Sequence, residues 1–478
     1  MNFKLVFKVS GRVLIVLALT MLLPLLVTLI YHESPIPFLV SIAITIAVGF
    51  FLSLFSASEH FYAREGFFTV GLIWIMIGIF GALPFYFSGY FPSWVDCMFE
   101  SFSGFTTTGA TILADIEALP KGILFWRSFT HWLGGVGVLA LSSALLPALG
   151  AHGQYLTQAE TPGPVYSKIV PKQAHATKIT YTIYCSLTIL EILALLIAKM
   201  PLYDAFIHTF STAGTGGFSS KNLSVGSYAS PAIDMIIAIF IIMFSVNFAI
   251  YFLLVTRRLK DVLKSDELRF FLTVVFLATF VVSINIHPIY QSVGESFRYG
   301  FFQVVSIIST TGFSTADFIQ WPQFSQMVLV LLMICGACAG STGGGMKCSR
   351  ILLLLRCIRR EIHHIIHPRA VSVVKLDGKV VDEDDLRSVL IFSSAYFLIT
   401  LLAALVLSLD NFSFPTSFTA ALTCMSNTGP GLDLVGPCGN FLGFSALSKI
   451  VMSLCMVIGR LEILPILVLF SRNAWKKA

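Results

Sequence analysis

Four short clusters of glycine, threonine and serine are the residues whose type and spacing suit a specific chemistry. Aligned on one glycine, they read TTTGAT (106–111), GTGGFS (214–219), STTGFS (309–314) and SNTGPG (426–431). The aligned glycines are separated by 108, 95 and 117 residues along the chain. A recurrence at this spacing indicates one structural unit that is used four times. The aligned glycines are Gly109, Gly217, Gly312 and Gly429.

Each cluster follows a short, aromatic-rich stretch of helical length. Stretch and cluster together extend over 96–111, 203–219, 297–315 and 416–431. Because a transmembrane helix requires about 20 apolar residues, each stretch is too short to cross a bilayer and is predicted to be re-entrant. Non-helical backbone at membrane depth is tolerated only where protein buries it or where it lines a water-filled cavity. We therefore expect the four segments to converge on one axis.

The backbone that leaves a re-entrant helix is suited to bind a dehydrated cation. The helix C-terminus carries partial negative charge, and glycine adopts backbone angles that other residues avoid. Rings of carbonyl oxygens that replace the water shell of an ion are the known basis of potassium selectivity. The clusters therefore favour a potassium site over four ordinary extracellular turns. Asp115, Glu117 and Asp317 lie just outside two clusters, where they would attract cations or act as solvated loop acids.

The composition requires lipid as the solvent of this chain. Of its 478 residues, 56% are hydrophobic and 12% are charged, whereas roughly 25% are charged in a soluble domain. We predict an all-α polytopic membrane protein with ten transmembrane helices, in which two N-terminal helices precede four pseudo-fourfold helix–pore-loop–helix repeats. The predicted spans are 11–31, 37–57, 67–90, 123–149, 176–199, 228–256, 268–290, 323–355, 386–409 and 443–471.

The repeats divide the predicted chain into six parts. Residues 1–66 form the two N-terminal helices, and 358–385 form a cytoplasmic linker. The four pore repeats occupy 67–150, 151–257, 258–357 and 386–478, and the third contains an intramembrane gating loop.

Basic residues set the predicted orientation. With the N-terminus in the cytoplasm, about 24 of the 31 lysines and arginines fall on the cytoplasmic side. Both termini are then cytoplasmic, the four clusters face outward, and the chain lies in the cytoplasmic (inner) membrane as a multi-pass protein. The net charge of +6 reflects this topology. Because no basic domain lies outside the membrane, we expect no nucleic-acid partner.

The eighth predicted span contains an interruption rich in glycine. It runs from Gly336 to Lys347 and reads GACAGSTGGGMK. Each glycine costs a helix interior about 1 kcal/mol relative to alanine. The stretch is interpreted either as small residues for close helix packing or as a flexible loop that obstructs the pore. The candidate gating residues in it are Gly340, Gly343, Gly344, Gly345 and Lys347.

A second candidate gating residue is Arg460, which lies inside the tenth predicted span. A buried charge tends to face a cavity or a partner. Arg460 is interpreted either as a structural or snorkelling arginine or as a pore cation that opposes cation occupancy. Direct pairing with Glu462 is not expected, because residues two apart do not share a helix face.

The stretch 356–387 is rich in arginine, histidine and acidic residues. It is interpreted either as an anchor on anionic lipid or as a docking surface for a cytosolic regulator. No serine–histidine or paired aspartate arrangement converges in the helices, so we do not expect an enzyme.

With these clusters, the sequence resembles the Trk/Ktr/HKT superfamily of potassium transporters, and within it the bacterial TrkH/TrkG branch. The two extra N-terminal spans fit TrkH better than KtrB. In plant relatives a serine at the first filter glycine accompanies sodium transport, and the glycine at 109 therefore favours potassium. The resemblance implies a potassium-binding selectivity filter lined by Thr107, Thr108, Gly109, Thr215, Gly216, Gly217, Thr310, Thr311, Gly312, Asn427, Thr428 and Gly429.

The resemblance also implies how such a protein works. Potassium is the transported substrate, and this chain carries no organic cofactor. The 336–347 loop and Arg460 would gate uptake together with a cytosolic TrkA-like nucleotide-binding ring, and the chain would form a homodimer. The alternative is a potassium symporter coupled to protons or sodium, for which paired carboxylates at the membrane midplane would be the sequence signal.

Overall fold

The computed structural model describes residues 3–55, 63–137, 173–370 and 372–463, and over these residues the fold is almost entirely helical. The N-terminal part consists of α1 (Phe3–Thr20), α2 (Leu22–Ile30) and α3 (Ile36–Ser53). α1 and α3 pack closely because small residues meet between them: a Cβ atom built on Gly11 would lie 2.6 Å from the carbonyl oxygen of Gly49.

Four short helices precede the four glycine clusters. They are α6 (Trp94–Phe105), α9 (Leu202–Gly214), α14 (Val293–Ile308) and α18 (Phe414–Ser426). The helices that precede them in the chain are α4 (Ala63–Gly81) with α5 (Leu83–Ser88), α8 (Gln173–Ile197), α13 (Asp266–Tyr290) and α17 (Glu383–Leu407). Each short helix packs against neighbours on both sides of it in the chain.

The helices that follow the clusters all end after 13 to 16 residues. They are α7 (Lys121–Val136), α10 (Pro231–Ser245), α15 (Gln323–Cys335) and α19 (Ala446–Arg460). After α10 the chain bends by 92° into α11 (Phe248–Val255) and α12 (Leu259–Lys264). After α15 it forms a loop and re-enters a helix as α16 (Cys348–Ile366).

A small β-hairpin joins α16 to α17. Its strands, β1 (Lys375–Leu376) and β2 (Lys379–Val380), are antiparallel, with Leu376 opposite Lys379. Leu376 is buried in a cluster with Leu353 of α16 and Leu386 of α17, so the hairpin is fixed to both helices.

Among the described residues, six helical segments are long and apolar enough to cross a bilayer, and the bent pair α10–α11 makes a seventh. The chain is thus a mostly helical, multi-pass membrane protein, and the count of ten spans remains a prediction. The ends of the fourth and tenth predicted spans (138–149 and 464–471) lie outside the described residues. The predicted sixth span, 228–256, is not continuous, because its helix breaks between Ser245 and Phe248. The predicted interruption of the eighth span lies between α15 and α16.

Candidate functional site

The four short helices end with the same backbone geometry. In each, the N–H of the residue before the aligned glycine donates to the carbonyl oxygen five residues earlier, which closes the last turn. The helix thereby stops at the cluster and the following residues leave as extended chain. The bonds are Thr108 N to Ser103 O (2.9 Å), Gly216 N to Ser211 O (2.8 Å), Thr311 N to Ser306 O (2.9 Å) and Thr428 N to Thr423 O (3.0 Å).

Two positions in each cluster have left-handed backbone. The aligned glycines have φ between 77° and 99°, which glycine adopts at little cost. The residue two positions earlier also has positive φ: Thr107 (57°), Thr215 (56°), Thr310 (61°) and Asn427 (57°). For a β-branched threonine this conformation is strained by roughly 1–3 kcal/mol, and such strain concentrates at functional sites. These four residues are among the predicted filter residues, but their left-handed backbone was not predictable from the sequence.

The four clusters meet in a closed cycle. A Cβ atom on Gly109 would lie 1.8 Å from the carbonyl oxygen of Gly216, and one on Gly217 would lie 2.1 Å from that of Thr311. The same relationship holds from the third cluster to the fourth and from the fourth back to the first. Each aligned glycine thus faces a carbonyl group of the next cluster. That carbonyl group belongs to the residue just before the next aligned glycine. The remaining contacts are Gly312 to Thr428 O (2.2 Å) and Gly429 to Thr108 O (2.8 Å).

In three of the clusters, two hydroxyl side chains bond to each other. The pairs are Thr106–Thr108 (2.8 Å), Ser309–Thr311 (2.7 Å) and Ser426–Thr428 (2.7 Å), measured between the Oγ atoms. These side chains are completely buried.

The second cluster has glycine at both equivalent positions, Gly214 and Gly216. There the ring of His131 takes the place of the hydroxyl pair: a Cβ atom on Gly216 would lie 2.3 Å from His131 Nδ1. The imidazole stacks on Phe218 at 4.1 Å between ring centroids. Neither of its ring nitrogens has a hydrogen-bond partner among the residues that the structure describes.

A side-chain bond links the fourth cluster to the first. Asn427 Nδ2 donates to Thr108 Oγ1 at 2.9 Å and to the carbonyl oxygen of Met456 at 2.9 Å. The asparagine at this position therefore joins two clusters and the helix α19 that follows.

Two buried ion pairs hold the same region. Glu100 of α6 pairs with Arg127 of α7 at 2.5 Å, and both side chains are almost fully buried. The Glu100 carboxylate also accepts from Ile112 N at 3.1 Å, and Arg127 Nη1 donates to Ser219 O at 3.2 Å. The pair thus connects the first cluster with the second, and no sequence pattern indicated that these two charges meet.

The second pair joins the first and last units of the chain. Lys449 Nζ of α19 lies 2.6 Å from Asp96 Oδ1 of α6, and both are buried. Because the partners are 353 residues apart, the pair fastens the end of the described chain to its first unit.

The glycine-rich loop 336–347 lies directly against the ends of the clusters. Gly344 N donates to Thr310 Oγ1 at 2.6 Å, and Gly345 N donates to Ser426 O at 2.8 Å. Four of the five candidate loop residues thereby lie beside the clusters or bond to one another. Lys347 is buried, and its ammonium group donates to the carbonyl oxygen of Gly343.

The loop is also bonded to the break in the preceding unit. Cys338 N donates to Ser245 O at 3.1 Å, and Phe248 N donates to Gly340 O at 3.0 Å. Two backbone groups freed by the break between α10 and α11 thus find partners in the loop. The residue that marks this break in the sequence is Asn247, which is the N-cap of α11. Its side-chain oxygen accepts from Ala249 N at 2.9 Å.

Arg460 connects the loop to α7. Its Nη1 donates to Thr342 O at 2.8 Å and its Nη2 to Gly134 O. Glu462 does not pair with Arg460, as expected from their spacing, and accepts a bond from Arg350 instead. Arg460 therefore bonds two backbone carbonyl oxygens, one in the loop and one in the last turn of α7.

Two acids after the first cluster bond to the loop after the second, and the acid after the third cluster bonds within its own loop. Asp115 accepts from Asn222 Nδ2 at 2.9 Å, Glu117 pairs with Lys221 at 3.4 Å, and Asp317 accepts from Ile319 N at 3.2 Å.

Asp433 has a comparable role after the fourth cluster. Its carboxylate accepts from Ser413 Oγ and, at 2.8 Å, from Thr416 Oγ1 in the first turn of α18. The hydrogen bond from Ser413, followed by that from Thr416, holds the pKa of Asp433 below its usual value.

This arrangement offers oxygen ligands and few charged ones. The described residues contain no group of three or more histidine, cysteine, aspartate or glutamate side chains that could bind a metal. Carbonyl and hydroxyl oxygens around a closed cycle suit a monovalent cation that passes through, rather than a tightly held transition metal. The fold and the site together define a polytopic membrane protein built around converging half-helices.

The family follows from comparison with known proteins. The family model TrkH, described as "Cation transport protein", matches residues 37–477. The chain is 40% identical to the Trk system potassium uptake protein TrkH of Salmonella typhimurium, with 100% of both chains covered. It is 32% identical to TrkG of Escherichia coli over 99% of both. It therefore belongs to the TrkH family of cation transport proteins, a family of transporters rather than enzymes, and the predicted resemblance is confirmed.

A solved structure has the same fold. The crystal structure of the potassium transporter TrkH from Vibrio parahaemolyticus superposes with a TM-score of 0.89 at 34% sequence identity, and 100% of both chains are covered.

Proposed function

We propose that this chain takes up potassium ions across the cytoplasmic membrane through a channel-like pore with a filter made of the four clusters. The observation that carries the proposal is the closed cycle in which Gly109, Gly217, Gly312 and Gly429 each face a carbonyl group of the next cluster. The names of the relatives as potassium uptake proteins support potassium as the cargo.

The proposed filter consists of the residues that the resemblance implies. They are Thr107–Gly109, Thr215–Gly217, Thr310–Gly312 and Asn427–Gly429. The four units with boundaries 67–150, 151–257, 258–357 and 386–478 are arranged as pseudo-fourfold repeats among ten spans. The basic residues place both termini in the cytoplasm and the clusters on the outer side. Helix C-termini directed at the pore from four sides favour a cation there.

The loop 336–347 and Arg460 form the proposed gate. Gly344 and Gly345 contact the inner ends of two clusters, and a buried guanidinium group raises the energy of a cation nearby. The proposal includes a homodimer and a cytosolic TrkA-like ring that moves the gate, since this chain has no nucleotide-binding motif of its own.

Flux through purified protein in liposomes tests the proposal. We expect rubidium uptake driven by a potassium gradient, and more of it from a variant that lacks Gly340–Gly345. No flux from either protein would overturn the proposed pore. An imposed proton gradient tests coupled symport: uphill uptake driven by protons would replace the passive pore by the symporter.

Coupled symport has less support in the structure. Asp96 and Glu100, the two buried carboxylates of α6, each pair with a different cation. Glu191 is also buried, and among the described residues no second carboxylate is bonded to it.

A further inference from the structure

A cavity of about 850 Å³ lies among elements that contribute none of the four clusters. Its walls are the end of α12, the start of α13, the basic side of α16 and the β-hairpin. The hairpin is held against α13, because Asp266 N donates to Asp377 Oδ1 at 2.7 Å and Asp377 N donates to Asp266 Oδ2 at 3.0 Å. The cavity is therefore a fixed feature of the fold, and it is separate from the proposed ion pathway.

The lining of this cavity is strongly positive. It contains six lysines and arginines against two aspartates, a net charge of +4 with His363 neutral. Asp266 is already occupied, since it pairs with Arg269 at 2.6 Å and Arg356 at 2.9 Å. Arg360 pairs with Glu383, which lies outside the lining, so half of the six lining cations keep no carboxylate partner among the described residues.

Three lining cations have no carboxylate partner. Lys264, Arg359 and Lys375 come from three different walls and have no acidic oxygen within 4.0 Å among the described residues. All three side chains are exposed to the cavity side of the surface. Cations that converge from separate elements without acids to neutralise them are suited to an anion with several oxygen atoms.

Exposed apolar side chains lie close in the chain to the lining cations. Leu259 is 58% exposed and Leu263 is 73% exposed beside Lys264. Val373, which lines the cavity, is 52% exposed, and Ile358 and Ile362 of α16 are also exposed beside its arginines. A helix with one basic and one apolar side is typical of the membrane–water interface, where basic pockets bind anionic headgroups.

We propose that this cavity binds a phosphate group, either the headgroup of an anionic phospholipid or a free phosphate compound. The planar guanidinium group of Arg359 provides two parallel donors for phosphate oxygens, and Lys264 and Lys375 provide point charges. The bound group would link α12, which precedes the loop 336–347 in the chain, to α16 and the hairpin, which follow that loop. This site goes beyond the proposed transport function and does not depend on it.

Native mass spectrometry of the full-length protein in detergent tests the site. The probes are dioctanoylphosphatidylglycerol, dioctanoylphosphatidylcholine and inorganic phosphate. We expect the phosphatidylglycerol to bind saturably and at least about tenfold more tightly than the phosphatidylcholine, since even one charge-assisted hydrogen bond to the headgroup changes affinity by about that factor. Inorganic phosphate should compete with it. If only inorganic phosphate binds, the source is a soluble compound and the phosphate site stands.

Matched variants locate the binding. The variant K264Q/R359Q/K375Q should lose at least about tenfold in affinity, whereas K260Q/R369Q/K379Q removes the same charge outside the cavity and should bind normally. The charge-retaining variant K264R/K375R, which leaves Arg359 in place, should keep binding, and the single variant R359Q decides the matter if the triple glutamine variant fails to fold. Equal losses in the lining and control variants, or no binding of any phosphate probe, would overturn the site. An unchanged affinity of the variant K264Q/R359Q/K375Q would also overturn the proposed phosphate site. The lining cations would then be assigned to binding an acidic protein partner.

Discussion

Gly109 lies with its α-carbon against the carbonyl oxygen of Gly216, so closely that a Cβ atom would come within 1.8 Å of that oxygen. Side chains essentially never approach backbone atoms so closely, and one of the two clusters would have to move. The spacing between neighbouring clusters is therefore set by the absence of a side chain at this position.

This contact predicts the effect of Gly109→Ala. Displacement of a filter carbonyl should lower the selectivity for potassium over sodium by at least about tenfold, equal to about 1.4 kcal/mol. Competitive uptake of rubidium and sodium by liposomes measures it. Gly89→Ala is the control, because Gly89 has a similar φ of 74° and no atom within 4 Å of its missing Cβ. Loss of selectivity in both variants would attribute the effect to backbone strain and contradict the steric reason.

The parts of the site that could be predicted from the sequence are local. The glycines in register and the glycine run after Cys335 are visible because backbone breaks require particular residues nearby. His131 behind the second cluster was not predictable as a filler, because its role depends on the lack of side chains at Gly214 and Gly216, more than 80 residues away.

The same limit applies to charges and to the second helix break. Lys449 and Asp96 are far apart in the sequence, and only the closing of the ring brings them to 2.6 Å. The break after Ser245 has no glycine or proline to mark it, since its freed backbone groups are satisfied by the loop of the next unit. Features that require two distant segments to meet are therefore the ones that the sequence could not supply.

Breaking the Arg127–Glu100 pair should destabilise the protein. Arg127→Gln leaves a buried carboxylate without its cation, which costs about 3–5 kcal/mol. We expect a lower thermal unfolding midpoint together with reduced selectivity, because Glu100 also holds Ile112 N and Arg127 holds Ser219 O.

A double-mutant cycle with Glu100→Gln separates the pair from its surroundings. The double variant should be less destabilised than the sum of the two single variants. Additive effects on the unfolding midpoint would show that the two side chains do not stabilise one another.

Arg460→Gln should increase flux. The substitution removes the bonds to Thr342 O and Gly134 O and removes a positive charge below the filter. Rubidium uptake measures the change. Arg460→Lys keeps the charge and loses the forked geometry, so an intermediate flux is expected if both charge and anchoring matter. A flux in the glutamine variant below that of the unmodified protein would contradict a blocking role of Arg460.

A cross-link between Cys335 and Cys348 should fix the loop 336–347. Their Sγ atoms lie 3.7 Å apart at its two ends, although the C-x-x-C spacing in the sequence draws attention to Cys335 and Cys338. We expect a membrane-permeant thiol oxidant to form a disulfide and to reduce flux, with recovery after reduction. The variant Cys348→Ser should be insensitive, and an equal response of that variant to the oxidant would assign the effect to another thiol.

Acid should loosen the start of α18 through Asp433. Hydrogen bonds from Ser413 and Thr416 depress the pKa of this carboxyl in the folded protein, relative to a value of about 3.9 in the unfolded chain. A depressed pKa contributes stability that is present above the unfolded value and is lost as the pH falls through the folded value. Unfolding midpoints measured from neutral pH down to about pH 3 should therefore fall less steeply for Asp433→Asn than for the unmodified protein. Ser413→Ala should act through the same contact, so that the double variant with Asp433→Asn shows no further change in its pH dependence. A pH dependence of Asp433→Asn as steep as that of the unmodified protein would show that another carboxyl group controls the acid response of this helix.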